Sequence, residues 1–237
     1  MKSRFIKYCI ESLNLRLADP VFMCFEAWEP LYLEILDDFG FSRERDEEAG
    51  RLLFDLLKSG QNFATILAMA SKLVRCQFVV ICGNAPTLAD EMNCFLGSRY
   101  QQNCVFIASD GATSVLLKAG VVPEIIVSDL DGCMDDILRA NEMGSIVVVH
   151  AHGDNQDLLR EYVPKLRNVI GTTQTRPLHG LYNFGGFTDG DRSVFFARYL
   201  GASAIKLIGF DFDDMSVTPR KHKKLAWAKR LIELALR

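Results

Sequence analysis

From Gln77 onward the chain alternates short, continuous apolar runs rich in β-branched residues with longer stretches in which apolar residues recur at three and four positions. The runs predict strands over 78–82, 104–108, 124–127, 145–150, 169–172 and 204–208, since a strand buried on both faces needs no polar alternation. The intervening stretches predict helices over 87–96, 112–119, 134–142, 156–163 and 191–200, and Pro219 opens a last one running to 237. Apolar strands joined by crossover helices form a parallel sheet covered on both faces. The expectation is therefore an α/β fold: a Rossmann-like, doubly wound, mostly parallel sheet with helices on both faces. Before Gln77 the texture is helical alone, over 25–39, 46–59 and 62–74, with Gly40 and Gly60 as stops. These patterns divide the chain into an N-terminal helical region, 1–73, and a Rossmann-like catalytic domain, 74–237.

At 237 residues and 49% hydrophobic, the chain can bury a full core without disulfides or a structural metal. Its seven cysteines (Cys9, Cys24, Cys76, Cys82, Cys94, Cys104 and Cys133) are odd in number, scattered, mostly within apolar runs and free of any CxxC pair. They read as reduced core residues. Glu11, Arg16 and Asp19 interrupt the apolar region that a secretion signal requires, and no apolar stretch approaches membrane-spanning length. A cytoplasmic protein without a membrane partner is expected. The net charge of −3 argues against nucleic acid as a partner, because coating phosphates takes a broad excess of Lys and Arg. One segment departs from this balance: Arg220, Lys221, His222, Lys223, Lys224, Lys229 and Arg230 could hold a polyanionic small molecule, or form the solvated face of an amphipathic helix. Composition leaves the oligomeric state open, and a homo-oligomer is compatible with it.

Ligands of parallel sheets bind beyond the carboxyl ends of the strands, which makes the turns after the strands informative. The first strand runs into Gly83-Asn84-Ala85-Pro86, where a glycine before a helix opened by proline leaves free backbone N–H groups as an anion cradle, but without the Lys of a Walker loop. The second ends in Asp110-Gly111-Ala112, which could equally be an ordinary capped helix start. The third ends in Asp129-Leu130-Asp131-Gly132. Carboxylates two positions apart project on one side of an extended backbone and can share a cation, and Gly132 permits a tight exit; the plainer alternative is capping of the helix that follows. After the fourth strand come His150, His152, Asp154 and Asn155, better suited to hydrogen bonding with phosphate or substrate than to zinc. Gly186, Thr188, Asp189 and Gly190 lie in a glycine-rich loop before a helix, where Phe184 and Phe187 could cover a planar ring. Asp211, Asp213 and Asp214 follow the sixth strand. So many carboxylates at one edge repel one another unless a cation intervenes, and hard oxygen donors suit magnesium.

The run Ala108-Ser109-Asp110-Gly111-Ala112, with Leu117, Gly120, Pro123 and Ile126 to Gly132, resembles the core signature of pyrophosphokinases related to thiamine pyrophosphokinase. It is more similar still to the archaeal 6-hydroxymethyl-7,8-dihydropterin pyrophosphokinase family. Trp28 to Ser42, the His-x-His-Gly-Asp-Asn turn from His150 to Asn155, and the Gly-Phe-Thr-Asp-Gly-Asp-Arg loop from Gly186 to Arg192 all match that family, so the resemblance spans nearly the whole chain. It implies transfer of pyrophosphate from ATP to a reduced hydroxymethylpterin, releasing AMP, in methanopterin or folate biosynthesis. Mg2+ would be held by Asp129 and Asp131, with Asp110 and Asp154 beside them. Asp131, Asp154 or His152 would act as base. Gly83, Asn84, Asp110, Gly111, Ala112, His150, Asn155, Gly186, Thr188, Asp189 and Gly190 would bind nucleotide or substrate, and Lys221 and Lys224 would neutralise phosphate. Which loop takes ATP and which the pterin stays open. Nothing after Arg237 could form the β-sandwich on which thiamine recognition depends, so thiamine is not the expected substrate.

Other readings remain at this level. A thiamine pyrophosphokinase-like enzyme acting on another alcohol shares the signature. A nucleotide-sugar glycosyltransferase would share the turn at Gly83 but leave ATP intact, and a nucleotide sensor would bind without turnover.

Overall fold

The computed structural model describes residues 23–58, 63–98 and 103–237. Three helices open the described chain: α1 (Phe25–Phe39), α2 (Arg43–Leu57) and α3 (Phe63–Val74). An alternation follows, of β1 (Phe78–Cys82), α4 (Leu88–Leu96), β2 (Cys104–Ser109), α5 (Ala112–Lys118), β3 (Ile125–Ser128), α6 (Met134–Glu142), β4 (Ile146–Ala151), α7 (Gln156–Tyr162) and β5 (Val169–Thr173). The chain closes with α8 (Asp189–Tyr199), β6 (Ala204–Ile208) and α9 (Pro219–Ala235). The hydrophobic pattern places every strand within one residue of its observed bounds.

Two departures have local causes. Helix α2 starts three residues before the expected position because Ser42 accepts the Arg45 amide at 3.2 Å, and its polar first turn hides from a count of apolar spacing. Strand β3 starts after Glu124, whose carboxylate turns back to accept the Phe106 amide at 2.7 Å. Gly40 stops α1 as expected, in the left-handed region at φ +66°. The expected stop at Gly60, the neighbouring helix ends at 59 and 62, and the reading of residues 1–20 lie outside the described residues. The described cysteines are free, as expected, but the core placement is corrected: only Cys82 is buried, while Cys24, Cys76, Cys94 and Cys133 are exposed.

All strand pairs are parallel, in the order β5-β4-β3-β2-β1-β6. Successive crossovers from β1 to β5 step one way across the sheet, and right-handed connections then put α4 to α7 on one face. The step from β5 to β6 runs the other way and carries α8 to the opposite face. Alternate strand residues feed two cores accordingly. Val79, Ile81, Ile107 and Val127 pack with α1, α3, α8 and α9, whereas Val80, Cys82, Ala108 and Ile126 pack with α2 and α4 to α7. Burial on both faces is why these strands read as unbroken apolar runs.

The direction reverses between β1 and β6, and there the two strand exits touch. The Gly83 amide donates to Ile208 O and the Ala85 amide to Gly209 O, each at 2.9 Å. A Cβ on Gly209 would lie 2.5 Å from Gly83 O, and Gly209 has φ +68°. Clash and left-handed backbone together lead us to expect that Gly209→Ala costs about 2 kcal/mol or more. Chemical denaturation checks this, since an unchanged midpoint would show that the two exits can separate freely.

Candidate active site

A cleft of about 900 Å³ opens along the carboxyl edge of the sheet. Of the residues singled out in the sequence, Gly83, Asn84, Asp110, Gly111, Asp129, Asp131, His150, His152, Asp154, Thr188, Asp189, Gly190, Lys221 and Lys224 line it. Ala112, Asn155 and Gly186 stand behind the lining: Ala112 is buried at the start of α5, Asn155 is buried beneath the β4 turn, and Gly186 packs on the backbone of Arg192.

Asp110, Asp129 and Asp131 converge at the centre, each offering a carboxylate oxygen within 4.8 Å of the others. The backbone is bent to achieve this. Asp110 has φ +43° and Leu130 has φ +69°, conformations that cost a non-glycine residue about 1–3 kcal/mol each. Ser128 holds both bends, donating to Asp110 Oδ1 at 2.5 Å and accepting the Leu130 amide at 2.8 Å. Gly132 is required because a Cβ there would strike the Asp110 carboxylate.

The charges are managed unevenly. Burial pushes Asp131 up to about 6, with the negative field of Asp129 adding to it. Burial alone would raise Asp129 too, but the hydrogen bond and field of His152, helped by Asp131, hold it down at about 2. Asp110 is raised by burial and by Asp129, against the Ser128 hydroxyl and the Gly132 and Gly111 amides. Asp129 Oδ1 is buried with no hydrogen-bond partner.

His152 sets the orientation of Asp129. Its Nδ1 accepts the Asp154 amide at 3.3 Å, so in the neutral ring the proton sits on Nε2, 3.3 Å from Asp129 Oδ2. Both ring nitrogens are thus used within the protein. Asn155 braces the pair from below, donating to Asp129 O at 2.8 Å and His150 O at 2.7 Å while accepting the His152 amide at 3.1 Å. Asp154 does not join the central trio; it pairs with Arg45 at 3.2 Å.

The loop before α8 also spends groups that looked free. Thr188 and Asp191 form a capping box, the Thr188 hydroxyl accepting the Asp191 amide and the Asp191 carboxylate accepting the Thr188 amide at 2.8 Å, and the same hydroxyl also contacts that carboxylate, so α8 starts at Asp189 and not at 191. Buried Arg192 donates to Asp189 Oδ1 at 3.2 Å and to Phe187 O at 3.0 Å. Burial first, then the field of Asp129, pushes Asp189 well above the usual carboxylate range. The Gly83 amide, already bonded to Ile208 O, contributes no free hydrogen to an anion cradle. Phe187 reaches the cleft, whereas Phe184 is core, stacked on Tyr182. Asp213 pairs with Lys229, and the acidic group after β6 stays apart from the trio.

Arg45, Asp46 and Gln174 line the cleft without having been singled out in the sequence. Asp46 is buried in the first turn of α2, accepting the Gly153 amide at 2.8 Å, the Tyr32 hydroxyl at 2.7 Å and Gln174 Nε2 at 2.7 Å. A carboxylate in a first helical turn looks like a solvated cap, and only its approach to residues over a hundred positions away reveals its role. The basic segment enters from α9. Lys223 holds Asp38 at 2.7 Å and Trp227 Nε1 donates to the same carboxylate at 2.6 Å, clasping α1 to α9. Arg220 lies over the Phe39 and Phe41 rings, and Lys224 over Phe187 and within the field of Asp131.

The profile of the 6-hydroxymethylpterin diphosphokinase MptE-like family matches residues 55–216. A 6-hydroxymethyl-7,8-dihydropterin pyrophosphokinase of Methanothermobacter thermautotrophicus is 42% identical over 222 residues, covering 88% of this chain and 93% of that protein. Proteins of the same description from Pyrococcus furiosus and Methanocaldococcus jannaschii are 39% and 36% identical, each covering 89% of this chain and 94% and 95% of their own lengths. Matches of this extent, over a sheet that brings three strand-end carboxylates together, place the chain in the 6-hydroxymethylpterin diphosphokinase MptE-like family.

Proposed function

We propose that the protein transfers pyrophosphate from ATP to the hydroxymethyl oxygen of 6-hydroxymethyl-7,8-dihydropterin, giving the pterin diphosphate and AMP. The activity for which the relatives are named supports the acceptor. The observation that carries the chemistry is the carboxylate trio, with its unpartnered Asp129 oxygen, on the floor of a cleft flanked by Lys221 and Lys224. A bond forms from the hydroxymethyl oxygen to the β-phosphorus as the bond from that phosphorus to the α,β-bridging oxygen breaks, and AMP leaves with its electrons. The hydroxyl proton passes to the carboxylates of the floor, of which Asp131 is the most open. Such a transfer is mainly a matter of positioning and charge.

The trio fits a hard divalent cation, and Mg2+ is our assignment: three oxygens lie close together, one buried atom lacks a partner, and burial, with the field of Asp129, disfavours the charged forms of Asp110 and Asp131. Asp110, Asp129 and Asp131 would hold it, and when bound it would neutralise the triphosphate. Asp154 stands at the rim with Arg45, so we assign it a supporting place. His152, both of whose nitrogens are occupied, holds Asp129 in orientation. Lys224, close enough to bias Asp131, and Lys221 balance phosphate charge. Two small-molecule substrates suffice for this reaction.

Incubation with ATP, magnesium and the reduced hydroxymethylpterin is expected to yield AMP and the pterin diphosphate in equal amounts; formation of ADP, or release of inorganic phosphate, in place of AMP would contradict the reaction. Asp131→Asn is expected to abolish turnover yet raise the melting temperature of the metal-free protein. The sign follows from the proton affinity. A carboxyl whose folded pKa, about 6, exceeds its ordinary 3.8 is favoured protonated, so its contribution to stability is lost as pH rises through that interval. The gain from Asp131→Asn in excess chelator should thus be full above about pH 7 and vanish below about pH 4. Magnesium should stabilise the wild type alone. A destabilised Asp131→Asn variant that still responds to magnesium would remove this residue from the proposed metal shell.

A further inference from the structure

The two ends of the cleft differ in chemistry, and the difference turns on His150. This side chain is only 2% exposed, yet it lines the cleft and its Nε2 has no hydrogen-bond partner. Its tautomer follows from its neighbour. With the one Thr172 hydroxyl hydrogen given to Val149 O at 3.0 Å, we assign the 3.1 Å contact between Thr172 Oγ1 and His150 Nδ1 as a donation from Nδ1. Nε2 then presents a bare lone pair. Burial first, then the fields of Arg192 and His152, push the ring well below the usual imidazole range and keep it neutral, against the smaller opposing effect of the nearby Gln174 side chain. A lone pair repels phosphate oxygens and accepts from N–H or O–H, and a buried acceptor left unpaired costs about 1–3 kcal/mol.

The order of the strands places this acceptor. His150 and Gln174 come from β4 and just after β5, on one side of the trio carried by β2 and β3. The exits of β1 and β6 lie on the other side. Neighbouring strands are about 4.8 Å apart, so about 12 Å of sheet edge extends either way from the trio, room for one flat group at each end.

We propose that the β4–β5 end is the pterin half of the cleft, where His150 Nε2 orients the ring by accepting a hydrogen bond from one of its N–H donors, leaving the β1–β6 end for the nucleotide. The proposal rests on the pyrophosphokinase reading given above. A pterin is uncharged and carries several N–H donors on its rim, which matches a neutral acceptor. The triphosphate brings only acceptors and charge, and cannot approach that nitrogen without repulsion. His150 is thus a specificity-determining contact.

Two measurements test it. With wild-type turnover to AMP and pterin diphosphate as the reference, His150→Leu should raise KM for the pterin about tenfold with KM for ATP unchanged, the size expected for one lost hydrogen bond. His150→Gln, which restores an acceptor, should recover part of that loss. A rise in KM for ATP alone would overturn the assignment. The second uses the folded wild-type protein and needs no turnover: the ¹⁵N resonance of His150 Nε2 should move when 6-hydroxymethyl-7,8-dihydropterin is added, and stay in place with a non-hydrolysable ATP analogue or with magnesium alone. Movement with nucleotide or magnesium only, or with none of the three, would refute the proposal. Absence of AMP from the wild type would instead refute the parent reaction.

Discussion

Three carboxylates held within reach of one another are the constraint around which the sheet edge is organised. Like charges so close are unfavourable, and the surrounding residues make sense as the means of keeping them there. The Ser128 hydroxyl locks two left-handed backbone positions, Gly132 leaves room for the Asp110 side chain, and His152 fixes Asp129. None of these groups adds much to a hydrophobic core, and the two positive-φ residues weaken the fold locally. The arrangement is stable because both faces of β2 and β3 are buried, so the strands cannot shift to relieve the repulsion.

The N-terminal helices belong to the same economy of support. Asp46 ties α2 to the β4 turn through the Gly153 amide and to the end of β5 through Gln174, while Tyr32 of α1 donates to the same carboxylate. Trp28 donates to Gln174 O at 2.9 Å. On the opposite side, Asp38 joins α1 to α9 and brings the basic segment over the cleft. Residues from α2 and from α9 thus join the strand-end loops in lining the cleft.

Legibility in the sequence followed the range of the interactions. The strands were readable because burial on both faces imposes continuous apolar runs, and the Asp129 and Asp131 pair because their spacing is local. Asp110, expected beside that pair, joins it, whereas the pairing of Asp154 with Arg45 was not readable, since it depends on where α2 lands. Thr188 and the Gly83 amide looked like ligand groups, but each is already bonded: Thr188 to Asp191 in a capping box whose local spacing was overlooked, and the Gly83 amide to Ile208, a partner that only the folded chain supplies. His150 shows the converse. Its position at the end of a strand was evident, whereas the unused lone pair depends on Thr172, which lies on a neighbouring strand.

The central claim is that Asp110, Asp129 and Asp131 share one divalent cation at the sheet edge. Crystals grown with Mn2+ and a non-hydrolysable ATP analogue would show this directly through anomalous scattering. A single manganese peak bonded to oxygens of these three side chains is the predicted result. A peak elsewhere in the cleft, with the trio bonded only to water or protein, would contradict it.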